Sequence, residues 1–337
     1  MNTTDPSALR ITGPGELLAA IPHFLGFHPI DSLVIIGLAS GRLVVTARMD
    51  LADAEDDQLL GDTLEAMTRG GVTEITGAVY VGTKHDTEGR PHPAVITQLR
   101  QQSDEHGIEL LDVFIVVGNR WWSELCDDAV CCPSEGNELP SRPTAFTTAS
   151  VVAGVVVAPT REAMADRFAP APNRTDLQAL IDEAENATTA AVLEGRAERH
   201  DRSVQRAMFA AAQVAKRGVY PSDIDVARFV VALRQISVRD SYWLKIDTRG
   251  FDGQALWLNL AQRAPSPYDA APLFLYAWPT WRSGKGALAS MAVERARQAD
   301  PDYSAANMLH ELVCHGVDPR HFPKLRPMTS RTEHTIA

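Results

Sequence analysis

The chain is short of cysteine, short of positive charge and without a long apolar run, and each shortage removes a class of protein. Only four cysteines occur in 337 residues, and three of them (Cys126, Cys131 and Cys132) crowd together far from Cys314, so a disulfide framework is not expected. Lys plus Arg number 32 against 43 Asp plus Glu, and the net charge of -11 repels phosphate backbones and anionic lipid. Nucleic acid is therefore a disfavoured partner. The longest nearly uncharged apolar stretch, Ala149–Pro159, is about half of the ~20 residues that span a bilayer, and Met1–Pro6 carries no basic-then-apolar signal pattern. The reading is a soluble, cytoplasmic protein that does not engage a membrane. No glycine-rich phosphate loop follows any strand pattern, which leaves a P-loop or dinucleotide fingerprint without support. What is present is an ordinary globular composition, 45% apolar and 22% charged, in a chain long enough for two cores.

The N-terminal half alternates helix and strand patterns. Thr12-Gly13-Pro14 reads as a helix start with Thr12 as cap, Leu17, Leu18, Ile21 and Leu25 line one face, and Pro22 predicts a kink or an end near Ile21 before a Gly26 cap. Ser32–Leu38 and Leu43–Met49, joined by Ala39–Arg42, read as a β-hairpin. Leu59, Leu60, Leu64 and Met67 keep helical spacing until Gly70-Gly71, Glu74–Val81 reads as a strand, Ala94–His106 as an amphipathic helix, and Leu110–Val117 as a strand buried on both faces. That order implies an α/β domain, a mixed sheet carrying a β-hairpin with helices packed on it.

After the last strand comes Asn119–Gly136, read as a loop leaving the sheet's carboxyl edge, where α/β proteins commonly place binding sites. It contains Arg120, Trp122, Ser123, Cys131, Cys132, Pro133 and Gly136 in an Arg-x-Trp-Ser … Cys-Cys-Pro-x-x-Gly arrangement. With the opening Pro14-Gly15-Glu16-Leu17-Leu18-Ala19-Ala20-Ile21-Pro22, then Leu25-Gly26-Phe27, Pro29, Asp31-Ser32-Leu33-Val34, and Arg48 and Asp50 ending the hairpin, the chain resembles the actinobacterial family known as domain of unknown function 4192, from about Ile11 to Val317. The resemblance implies no known activity. Some members of that family carry an extra cysteine beside the position of Cys126, where this chain has Leu125.

Three chemistries compete for the cysteines. A structural zinc site needs four ligands, and Cys126, Cys131 and Cys132 are candidates, but the adjacent Cys131 and Cys132 side chains are expected to diverge, so His residues or Cys314 would have to complete it. Redox chemistry needs a lowered thiol pKa, and Glu124, Asp127, Asp128 and Glu135 act the other way. The third reading is packing, with small buried thiols in an apolar environment, a tryptophan closing the domain and Cys132-Pro133 fixing the turn. Asp31, Ser32, Arg48 and Asp50 flank the base of the hairpin and are expected to be neighbours, either as an Asp-Arg clamp or as carboxylates arranged for chemistry.

The C-terminal half reads as all helical. Thr160 caps a helix through Phe168, Ala169–Thr175 is a linker, and helix patterns occupy 177–198, 204–217, 223–236, 254–262, 273–281, 287–298 and 305–315. This organisation gives an α/β domain over 1–170, a helical domain over 176–318 and an unstructured tail over 319–337. Ala277, Gly284, Ala289, Val293, Ala296 and Pro301 fit one tetratricopeptide-like hairpin, a register that the neighbouring segments do not sustain. His310-Glu311-Leu312-Val313-Cys314-His315 approaches the zinc-protease His-Glu-x-x-His helix but places its second histidine one residue late, about 100° round the helix. The functional expectation is a binding or regulatory module acting through an unidentified protein partner or small ligand. The rival is a hydrolase with a pocket formed by Asp31, Ser32, Arg48, Asp50, Arg120, Trp122 and Ser123.

Overall fold

The computed structural model describes residues 10–82, 93–172 and 176–326. The chain divides into two compact units, Met1–Met164 with Cys314–Asp318, and Ala165–Val313 with Pro319–Ala337.

The first unit is built on β1 (Ser32–Ala39), β2 (Arg42–Asp50), β3 (Glu74–Val81), β4 (Glu109–Val117), β5 (Arg120–Ser123) and β6 (Asn137–Glu138), in the order β2-β1-β3-β4-β5-β6. Only β3 and β4 are parallel. The β1–β2 hairpin is closed by Ser40-Gly41, both at positive φ (51° and 69°), the two-residue turn whose twist matches that of the strands it joins. Around the sheet lie α1 (Pro14–Leu25), α2 (Leu51–Ala54), α3 (Asp57–Arg69), α4 (Pro93–Glu105), α5 (Ala145–Val152) and α6 (Arg161–Ala165). Strand alternation sorts the core. Leu33, Ile35, Ile75, Val79, Val113 and Ile115 pack with Leu60 and Leu64 of α3 and Leu99 of α4.

The other face carries Tyr80, whose hydroxyl donates to the Leu18 carbonyl of α1, and Trp121, edge-on to Phe114 at 5.5 Å. Helix α1 runs unbroken through Pro22 to a Gly26 cap at φ 85°. Thr12 does not cap it, because Gly13 holds the cap position and Thr12 instead donates through its N–H and hydroxyl to Glu16, lowering the pKa of that carboxyl. Asp56 caps α3, and the turn bearing Leu59 points that side chain outward, 43% exposed.

The second unit contains α7 (Gln178–Leu193), α8 (Ala197–Ala215), α9 (Asp223–Arg234), α10 (Ile236–Arg249), α11 (Gln254–Arg263), α12 (Ala270–Arg282), α13 (Gly286–Ala299) and α14 (Ser304–Cys314). The long first helix of the sequence reading is broken at Gly195, whose φ is 66°, and α10 is an addition to it. Helix α12 is buried almost all round and is the centre of this unit. It forms a helical hairpin with α13 in which Ala277, Ala289, Val293 and Ala296 are fully buried. Gly284 does not serve the contact between the helices, since it supplies the connecting turn at φ 81° with open space where a Cβ would lie. The segment read as an unstructured tail is anchored at its start. Arg282 donates to the carbonyls of Pro319 and Phe322, and Phe322 packs on Trp278 and Trp281, while 327–337 lie outside the described residues. No helix among the described residues is long and apolar enough to cross a membrane.

Candidate metal centre

The segment Asn119–Gly136 is not a single loop off the carboxyl edge. A turn through Gly118, at φ 58°, reverses the chain into β5, which pairs antiparallel with β4 until Ser123 stands opposite Phe114. The cysteine segment therefore leaves from the flank of β4, part-way back along the strand, and returns at β6, where Asn137 pairs with Trp121 and Glu138 with Arg120. Strands this short carry no alternation long enough to read from sequence.

Each residue of the Arg-x-Trp-Ser and Cys-Cys-Pro-x-x-Gly elements holds this excursion together. Arg120 donates to the carbonyls of Glu135 (3.2 Å) and Gly136 (2.9 Å) and pairs with Glu138 at 3.2 Å. Trp122 donates from its indole to the Ser134 carbonyl at 3.0 Å, and its ring lies where a Cβ on Gly136 would come within 2.5 Å, which with φ 78° makes that position a glycine. Ser123 donates to the Asp112 carboxylate (2.8 and 2.9 Å) and accepts from the N–H groups of Leu125 and Cys126 (3.2 and 3.1 Å). Its proton and its lone pairs are thus spent on holding the start of the cysteine segment. Asp112, chiefly through burial, has its pKa raised. Asn137 donates to the Cys131 carbonyl at 2.9 Å, the Asp128 carboxylate accepts from Val130 at 2.8 Å, and the Cys132 N–H closes a tight turn on the Asp128 carbonyl at 2.7 Å.

That turn overrides the divergence expected of adjacent cysteines. The Sγ atoms of Cys126, Cys131 and Cys132 all lie within 4.8 Å of one another, and none of the three thiols is buried, Cys131 being exposed. The packing reading is corrected on this point, since Trp121 is buried against Phe114 while the thiols are not buried. Crowding the thiols together resists their ionisation. The Cys131 pKa is raised mainly by hydrogen bonding to Cys126, and Cys132, which is half-buried, is pushed up to about 11, first by that partial desolvation and then by the hydrogen bond to Cys126. Thiols shifted upward are poor redox nucleophiles, whereas a soft divalent cation would reverse the balance by neutralising thiolates directly.

The hairpin-base residues form a different cluster. Asp31, at φ 44°, accepts the Gly82 N–H on its carboxylate at 2.7 Å and the Leu51 N–H on its carbonyl at 3.0 Å, tying the start of β1 to the end of β3. Ser32 is fully buried, donates to the Ile30 carbonyl at 2.6 Å and accepts from Arg48 at 2.9 Å, and Arg48 also pairs with Asp50 at 2.6 Å. The clamp is therefore Arg48–Asp50 with Ser32, while Asp31 serves backbone donors. Strands β3 and β4 stand between this cluster and the β5 edge that carries the cysteines.

Residues 14–320 match the model of a domain of unknown function, DUF4192. The chain belongs to the DUF4192 family. No curated protein matches it, and no solved structure does. In this DUF4192 chain the position beside Cys126 is Leu125, 41% exposed, so the thiol cluster has three members and, among the described residues, no fourth side chain of ligand type joins it. Cys314 is not part of the cluster, and His315 falls beyond the end of α14, so the His-Glu-x-x-His likeness does not form a helical metal face. Asp112 and Asn137 are the contributors that the sequence reading missed. Asp112 had a signal, as the one charge within the otherwise apolar stretch Leu110–Val117.

Proposed function

We infer that the chain is a metal-dependent binding module in which Cys126, Cys131 and Cys132 hold a zinc ion and leave its fourth position to an outside ligand. The observation that carries this is the convergence of three sulfur atoms within 4.8 Å on a segment fixed at both ends. In a tetrahedral zinc–thiolate site with Zn–S bonds of about 2.3 Å the sulfurs stand roughly 3.8 Å apart, a small adjustment from that arrangement. Sulfur donors favour zinc over magnesium or calcium. The carboxylates of Asp127, Asp128 and Glu135 add an attractive field for a cation.

Three thiolates also favour binding over hydrolysis. Their combined negative charge exceeds that of the ion, which weakens it as a Lewis acid and as an activator of water. Ser123 is committed to Asp112, and the hairpin-base residues Asp31, Ser32, Arg48 and Asp50 lie beyond β3 and β4, so of the hydrolase reading only Arg120, Trp122 and Ser123 stand by the cysteine segment. An open position on a thiolate-rich zinc is instead suited to a sulfur or nitrogen donor from a partner protein or small ligand. Substitution of Co²⁺ tests this. The intense thiolate-to-cobalt absorption of a site with three sulfurs is expected, with a visible band that moves when imidazole or a small thiol is added. Absence of that absorption in the full chain would overturn the reading.

A further inference from the structure

A second site lies in the helical unit, independent of the thiols. Side chains of α8 and α10 line an open surface cleft of about 360 Å³, formed by Arg202, Gln205, Arg206, Phe209 and Lys245. Tyr242 of α10, fully buried, ties the two helices together by donating from its hydroxyl to the Gln205 carbonyl of α8 at 2.5 Å. The ammonium of Lys245 sits 4.6 Å above the Tyr242 ring. At one end Phe209, 46% exposed, stacks on Phe251 with ring centroids 5.3 Å apart and planes at 26°.

The charges here run against those of the molecule. A chain of net charge -11 gathers two guanidinium groups and an ammonium around one small cleft, and the nearby Arg249 adds a repulsion that, after burial, lowers the Lys245 pKa. Among the described residues Arg202 pairs with Glu198 at 3.6 Å, and both side chains are largely exposed, a pairing worth little. Converging like charges are unfavourable until an anion joins them, and guanidinium groups bind phosphate oxygens through paired donors. Phe209 stands beside these cations with Phe251 against its ring and 46% of its surface still exposed, an aromatic face next to a cluster of positive charge.

We propose that the α8–α10 cleft binds a small phosphorylated compound carrying a planar ring, of the nucleotide type, with Arg202, Arg206 and Lys245 on the phosphates and Phe209 against the ring. The volume is at the lower end of the usual range for small-molecule sites, in keeping with a compact ligand. The ligand's charge is met by side chains alone, consistent with the missing glycine-rich loop.

Calorimetric titration of the full chain with ADP, inorganic pyrophosphate and adenosine separates the parts. ADP is expected to bind with a Kd below about 1 mM. Arg206→Glu should weaken it by about tenfold or more, a loss of roughly 1.4 kcal/mol. Phe209→Ser should weaken ADP while leaving pyrophosphate unchanged, and adenosine alone should bind more weakly than ADP. Both residues lie at the surface, so far-UV circular dichroism is expected to be the same as for the unaltered chain. Arg69→Glu, the same change of charge in the other unit, should leave ADP binding intact. No ADP binding, equal weakening by Arg69→Glu, or pyrophosphate binding as tightly as ADP would overturn the proposal.

Discussion

The hydroxyl of Tyr80 donates to the carbonyl of Leu18 at 3.3 Å, and that carbonyl is the one that Pro22, lacking an N–H, leaves without its helical donor. A residue on β3 thus repairs α1 from across the core, which is why the helix passes Pro22 and continues to Leu25. Burial holds the Tyr80 proton well above the ordinary phenol range, so the donor persists at any working pH. Tyr80→Phe is expected to cost about 1–3 kcal/mol in denaturant unfolding. In a Pro22→Ala background, where residue 22 regains its N–H, the cost should shrink, and equal costs in both backgrounds would show that the two residues are uncoupled.

Asp112 gives the first unit a pH dependence of a defined sign. A carboxyl whose folded pKa is raised binds its proton more tightly in the native state, so its contribution is greatest below the unfolded value and is lost as pH rises through the folded one. The stability difference between the native chain and Asp112→Asn should therefore move against the native chain as pH rises through the acid range. A difference that moves the other way contradicts the burial of this group.

Gly136→Ala should disturb the thiol cluster from a distance. The added methyl meets the Trp122 ring at 2.5 Å and forces a side chain into a left-handed backbone conformation, together worth about 1–3 kcal/mol. The expected result is a shift in tryptophan emission together with weaker metal uptake, although no ligand has been touched.

In the helical unit Asp247 is the corresponding keystone. Its side chain, 3% exposed, pairs with Arg282 at 3.1 Å and accepts from the Trp278 indole at 3.3 Å and the Leu325 N–H at 2.6 Å. Asp247→Ala leaves the Arg282 guanidinium, itself only 17% exposed, without that anion, and should cost about 3–5 kcal/mol. Limited proteolysis should then cut first in the Pro319–Arg326 segment that the carboxylate ties down.

Much of this architecture was legible in the sequence, and the misses have identifiable causes. The β1–β2 hairpin could be read because its strands are β-branched and Ser40-Gly41 can adopt the turn. No residue of helix α5 is fully buried and its apolar residues are not confined to one face, so no stripe reveals it, and α10 mixes aromatic and charged residues without a clean stripe. Strand β5 is four residues long and takes its identity from pairing with β4. The thiol cluster was visible as three nearby cysteines, but their convergence was not, because it depends on the Asp128 turn that folds Cys132 back. The hairpin-base residues were expected to be neighbours, and the register confirms Ser32 opposite Asp50, yet Arg48 chose Ser32 and Asp50 while Asp31 went to the backbone of Gly82.

The central claim is that the three thiols are metal ligands, and zinc content tests it most directly. The full chain, purified without chelator or metal-affinity resin, is analysed beside Cys126→Ser, Cys131→Ser, Cys132→Ser and Cys314→Ser. One zinc per chain, retained by Cys314→Ser and lost or loosely held in the other three, is the predicted result. A metal-free chain that takes up no zinc on addition, or one whose zinc survives all three substitutions, would contradict the account.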